Sequence, residues 1–295
     1  MKPPPPDDSG TRIRELEAEV ARLRGELFAM QIKAAPPDRV GSLLRDGLRS
    51  PTSEVRMAAI RAIAALPDPT PYVGDVICCL VGGNTACRVT VIEFIARFPG
   101  SRNALAAAAG DPAPEVRRAV AGVLRDFVLL RLLLEDGDDS VVEKAIDSLG
   151  AVADRGSVDT IVAKLRAAKG DGLRFSALNA LGKIGDPRAG DVIRDHLAKE
   201  NPDNIREVAI DAAGKLKDAA AAPALAAILS ESKPRLRELA GKSLVLIGPA
   251  ALPALADAVE KSPDRAALVE TGNAIACTTF SAADDPVAIA AAWRK

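Results

Sequence analysis

Glu143 and Asp147, like Glu207 and Asp211, are carboxylate pairs four residues apart. On a helix that spacing puts both acids on one face, about one turn apart. Phe175 with Asn179 and Glu238 with Lys242 keep the same spacing and phase in neighbouring stretches. An acidic strip holding one aromatic ring suits a basic peptide or helix, with Phe175 as the apolar anchor. The same charge repels nucleic acid, and six Phe, one Tyr and one Trp are few for base stacking.

Other chemistries lack their parts. Gly241-Lys242-Ser243 reads like the end of a phosphate-binding loop, but the motif requires a glycine where Leu236 stands and a strand before the loop. His196 is the single histidine, so His-ligated metals and Ser-His-Asp catalysis are both starved of side chains. The run Glu135-Asp136-Gly137-Asp138-Asp139 has no Glu at the twelfth place of a calcium loop. No catalytic residue, metal or cofactor is expected.

The elements that carry the acidic strip come from a recurring phrase. An aliphatic residue is usually followed by Arg, with a small residue at the fifth place and an aliphatic or Ala at the ninth. It starts at Val55, Cys87, Val116, Val141, Leu173, Ile205, Leu236 and, in degraded form, Ala267, at steps of 25 to 32 residues. Periods of this length mark a solenoid. The phrase opens the second helix (B) of each pair, and first helices (A) are expected at 73–81, 158–168, 189–198, 223–229 and 252–259. The fold class expected is an all-α, right-handed α-solenoid of about eight helix pairs over residues 40–295, with helix B on the concave side. The repeat between Val116 and Val141 is short, and irregularity is expected near residues 125–140. Arg56, Arg88, Arg117, Arg174, Arg206 and Arg237 recur at one phase and should pair with turn carboxylates such as Asp186.

The stretch LRFSALNALGKIGDPRAGDVI, from Leu173 to Ile193, reads as helix B, a Gly-Asp-Pro turn and the next helix A. It resembles the HEAT-like repeat of the bacterial phycobilisome-lyase type. The likeness recurs at Ile205-Arg206 with Ala209, Ala213 and Gly214, and at Leu236-Arg237 with Ala240 and Ile247-Gly248. It implies a scaffold or adaptor, a chromophore lyase or its chaperone-like subunit, or a structural subunit of a larger assembly. Related metal-dependent hydroxylases carry repeated His-Glu pairs, which are absent here. Alkyl-base glycosylases of similar shape use a basic, aromatic-lined face, whereas this one is acidic and Trp293 lies at the C-terminal end, where it should pack the last helix.

Residues 12–33 follow a different period. Ile13, Leu16, Val20, Leu23, Leu27 and Met30 alternate in steps of three and four, the a/d seam of a coiled coil. Ile13, Val20 and Leu27 at a, with Leu16, Leu23 and Met30 at d, favour two parallel strands, and Arg12 would face Glu17, and Glu19 would face Arg24, of the partner. Gly25 inside the helix costs about 1 kcal/mol. Three uses are open: a parallel homodimer, a cap on the first repeat, or docking on a different protein. The organisation expected is a disordered tail at 1–10, this helix at 11–35, a linker at 36–39 and the repeats.

With 39 basic and 40 acidic side chains the chain has a net charge of −1, so nothing draws it to a polyanion. Four unevenly spaced cysteines read as small buried apolar residues of a reducing compartment. Neither a secretory leader nor a membrane span is expected, and the location expected is cytoplasmic.

Overall fold

A computed structural model describes residues 9–294. The disordered tail expected at 1–10 lies outside the described residues up to Asp8, while Ser9 and Gly10 already belong to the first helix. All regular structure among the described residues is helical. The chain forms two compact units, one ending at Leu124 and the other beginning at Arg125, where the irregular stretch was expected to start.

The first unit holds α1 (Ser9–Ala34), α2 (Pro37–Leu48), α3 (Ser53–Ala64), α4 (Val73–Cys78), α5 (Thr85–Ile95), α6 (Arg102–Ala108) and α7 (Pro114–Val123). The linker expected at 36–39 is shorter than that. Pro36 is extended at φ −65° and ψ 148°, and Pro37 starts α2, a position where a missing N–H is harmless and its fixed φ is an advantage. α3, α5 and α7 are the B helices, each packed on the next. The Asn84 side chain caps α5 by accepting the Cys87 N–H at 2.8 Å. Leu44, Ile60, Ile63, Val91, Ile92, Val116 and Val120 form the buried core.

The second unit holds α8 (Phe127–Leu133), α9 (Asp139–Ala151), α10 (Val158–Ala167), α11 (Asp171–Ile184), α12 (Gly190–Asp195), α13 (Asp203–Leu216), α14 (Ala222–Leu229), α15 (Pro234–Ile247), α16 (Leu252–Lys261), α17 (Ala266–Ala276) and α18 (Pro286–Trp293). The B helices α9, α11, α13 and α15 pack in sequence, and glycines set how closely. A Cβ on Gly150 would stand 2.7 Å from the Ala180 Cα, one on Gly182 2.8 Å from the Ala212 Cα, and one on Gly214 2.8 Å from the Ser243 Cα. Each helix therefore lies flush against the backbone of the next, and no other residue fits those positions unmoved. Ser243 is buried there and donates to the Ile210 carbonyl at 2.9 Å.

Several A helices are preceded by a short 3-10 turn, which the phrase did not reveal. Asp154, Asp186 and Asp218, 32 residues apart, cap three of them by accepting the N–H of Gly156, Arg188 and Ala220. Each carboxylate also meets a guanidinium: Asp154 that of Arg131 at 2.5 Å, Asp186 that of Arg188 at 3.0 Å, and Asp218 that of Arg194. The pairing expected between the recurrent Arg row and Asp186 is thus corrected, because Arg188 in the same turn holds that acid. The row is structural through other partners. Arg88 grips Asp111 with two bonds of 2.7 and 2.9 Å, and Arg206 grips Glu231 at 3.0 and 2.7 Å. Arg56 donates to the Gly82 carbonyl and Arg117 to that of Asp111.

Pro234–Lys261 is long enough, with a mean hydropathy of 1.6 over 18 residues, to cross a membrane by length and composition. In the fold Gly248, at φ +78°, and a 3-10 turn divide it into α15 and α16, and both pack on α14. At the C-terminal end Trp293 is buried, its indole N–H donating to the Thr278 hydroxyl at 3.2 Å.

Candidate functional site

The eight residues of the expected strip fall on α9, α11, α13 and α15. None of Glu143, Asp147, Phe175, Asn179, Glu207, Asp211, Glu238 and Lys242 is buried, while Val142, Ile146, Leu178, Ile210 and Leu244 on the same helices are. The repeat register brings them onto one outward face, since the glycine contacts fix each B helix about thirty residues out of step with the next. Phe175 is 46% exposed, large for an aromatic ring.

The charge on this face is uneven. At the α13–α15 end it is already balanced within the chain. Asp211 pairs with Lys215 at 2.5 Å, Glu207 with Arg235 at 3.6 Å, and Glu238 with both Lys242 at 2.6 Å and Arg235 at 3.4 Å. On α9, by contrast, neither Glu143 nor Asp147 has an ion-pair partner among the described residues. Burial, reinforced by Asp139, Asp147 and Asp138, holds the Glu143 carboxyl above its ordinary pKa. Its Oε1 lies over Gly172 at the start of α11, where a Cβ would come within 2.5 Å of it. The uncompensated acid of the strip is therefore confined to Glu143 and Asp147, one helix away from Phe175. From sequence all five acids look alike. The residues that separate them include Lys215 and Arg235, which lie on α13 and α15 outside the eight positions of the strip.

The heptad helix α1 lies alongside α3. Phe28 is buried, with its ring in the space that a side chain on Gly47 would occupy. Gly25, a helix-weakening residue when read alone, stands where a Cβ would be 3.1 Å from the Glu54 carbonyl oxygen, so its lack of a side chain is what lets α1 approach. Beside this seat runs an open groove of about 670 Å³ between Gly25, Ala29 and Ile32 on one side and Met57, Ala58 and Ala62 on the other. The whole seam points away from it: Ile13, Leu16, Val20, Leu23, Leu27 and Met30 are between 46% and 65% exposed.

Among the described residues no three His, Cys, Asp or Glu side chains are grouped to hold a metal ion. The arrangement can bind, through charge and shape, and no nucleophile with an adjacent base stands on this face.

The family model for HEAT repeats matches residues 128–214. That match is to HEAT repeats at large and does not extend to a phycobilisome-lyase type. No curated protein matches the chain in sequence. In fold it is similar to YibA of Escherichia coli at 18% identity, over 84% of this chain and 98% of that one, with a TM-score of 0.55. It is similar to importin beta at 14% identity, over 90% of this chain and 44% of that one, with a TM-score of 0.53. It is also similar to Kap121p in its complex with Pho4p at 13% identity, over 93% and 38% of the two chains, with a TM-score of 0.51. The chain thus spans less than half the length of importin beta and Kap121p. At such identities the likeness is one of fold, and with the helix pairs it makes this chain an all-α solenoid, of which residues 128–214 are similar to the HEAT-repeat model.

Proposed function

We propose that this protein is a non-catalytic scaffold or adaptor that holds a protein partner on the outward face of α9, α11, α13 and α15, through a basic segment of that partner. The observation that carries the reading is the pair Glu143 and Asp147, two carboxylates without a cation of their own, next to a helix bearing the exposed ring of Phe175. A lysine or arginine brought there offsets the burial of the Glu143 carboxyl and the repulsion from Asp139, Asp147 and Asp138, which together hold its pKa up, and its aliphatic stem can lie on the ring. The fold gives general support: the karyopherin Kap121p, of similar architecture, has been crystallised bound to Pho4p and to the extreme C-terminus of Cdc14p. Pairing of two copies through residues 12–33 belongs to the same proposal, since two faces on one particle would act at high effective concentration. A reducing, cytoplasmic setting is proposed with it, supported by four cysteines that are all free.

The test is fluorescence anisotropy with a labelled peptide of alternating Arg, Lys and Leu, and an acidic peptide of equal length as control. Binding of the basic peptide should weaken at least tenfold in Glu143→Lys/Asp147→Lys and lose most of its salt dependence. Reversal of Glu207 and Asp211, already balanced by Arg235 and Lys215, should matter much less. Equal affinity for wild type and the Glu143/Asp147 variant sinks the proposal.

A further inference from the structure

We propose that α1 is one strand of a parallel coiled coil formed with a second copy of this chain, held ready by its own first repeat. The inference rests on the pairing proposed above and adds how the helix is made competent for it. In the heptad register, the docked residues Gly25 and Phe28 and the groove-lining Ala29 and Ile32 occupy the b, c and f places, which face water in a free coiled coil. Here those places carry small or apolar residues, and the burial of Gly25 and Phe28 against α2 and α3 shows why. At 100° per residue the a/d seam lies on the opposite side of the helix. A helix apolar on two opposite faces is made to be covered twice. One cover is the chain itself; on the opposite face all six seam residues are about half exposed or more in the single chain.

Several observations choose a second copy as that cover. Ile13 and Val20 at a, with Leu16 and Leu23 at d, fit a two-stranded parallel seam. Arg12 and Glu17, and Glu19 and Arg24, flank it with complementary signs for a copy of the same sequence. From Gly10 to Val20 every residue of α1 is exposed, a length of helix that is marginal in water by itself. Docking of the later half supplies the nucleus from which the earlier half can continue, so three heptads that would be too short as a free peptide can suffice. The intrahelical pairs of Arg12 with Glu15 and of Arg22 with Glu19 and Glu26 are exposed and weak enough to exchange.

Sedimentation equilibrium of the full chain tests the pairing. The mass should double with concentration, and Leu16→Glu/Leu23→Glu should stay at the monomer mass with unchanged helix content, since both side chains are exposed in the single chain. Gly25→Ala and Phe28→Asp, which disturb the seat and not the seam, should each weaken dimerisation at least tenfold, although Gly25→Ala raises intrinsic helix propensity. A wild type that is monomeric at every concentration overturns the pairing itself. A dimer equally tight in Gly25→Ala and Phe28→Asp leaves the pairing intact but overturns the role of docking. Direction is read by oxidation: Ile13→Cys should cross-link to itself beyond the wild-type background, whereas cross-linking only in Ile13→Cys/Met30→Cys would mean antiparallel strands and overturn the parallel arrangement.

Discussion

Arg206 and Glu231 form a two-bonded ion pair of 3.0 and 2.7 Å in which the arginine side chain is 2% exposed, and the Arg206 Nε also donates to the Leu197 carbonyl at 3.1 Å. The pair ties the start of α13 to the loop after α14 and to the chain leaving α12, so one side chain joins three segments of two repeats. Removing only the acid leaves a guanidinium out of water without its partner. Glu231→Ala should therefore cost about 3 to 5 kcal/mol, while Arg206→Met/Glu231→Leu, which removes both charges, should recover most of it. Urea denaturation of the two variants gives the comparison.

Close helix approach makes a second prediction. Gly182→Ala places a methyl 2.8 Å from the Ala212 Cα, against backbone that cannot turn aside, and should cost about 1 to 3 kcal/mol. Gly74→Ala, in α4 with nothing within 4 Å, should be neutral or stabilising by up to about 1 kcal/mol. Thermal unfolding of both variants separates packing from propensity.

Acid should destabilise the turns before the A helices. Hydrogen bonds from the Arg188 side chain and backbone bring the Asp186 pKa down to about 2 from an ordinary 3.8, and Arg131 likewise depresses that of Asp154. A carboxylate with a lowered folded pKa adds stability above its unfolded value and loses it as pH falls toward the folded one. Stability should thus decline from about pH 4 to about pH 2, and Asp186→Asn should flatten part of that slope. Melting temperature against pH is the measurement. The Glu143 carboxyl, raised above its ordinary pKa, works in the opposite sense.

The seat of α1 depends on one ring. Phe28→Ala should release the helix from α3 at a cost of about 3 kcal/mol, in the range for large-to-small changes at buried aromatics, and expose the stretch around Ala35 to limited proteolysis. Gly47→Ala should do the same from the other side, because its methyl would occupy the volume of the Phe28 ring.

All eight starts of the repeat phrase fall inside helices, seven in the B helices from Val55 in α3 to Leu236 in α15 and the degraded one at Ala267 in α17, because a residue at a fixed helical phase leaves its mark on the sequence. The A helices were only partly legible. α6 is mostly alanine and α8 runs only from Phe127 to Leu133, too short for a period to show, whereas the helix expected at 189–198 is α12, ending at Asp195. The Asp caps were visible as an interval of 32 residues at Asp154, Asp186 and Asp218, a regularity hidden by their position outside the phrase. On the face proposed for binding, the spacing placed the eight residues on unburied positions of the B helices but did not reveal their charge balance. Whether Asp211 is available depends on Lys215 one turn later, and Glu207 is claimed by Arg235 from the next repeat, a relation set by register alone.

The glycines that bring α9, α11, α13 and α15 flush also determine where the second unit can yield. A repeat leans only on its neighbours, so melting proceeds as a front from the ends, and the front stalls where adjacent layers share the most backbone. Amide exchange should accordingly be slowest in α11 and α13, clamped on both sides, and fastest in α8 and α18, so that the layers beside Phe175 are the last part of this unit to lose their shape.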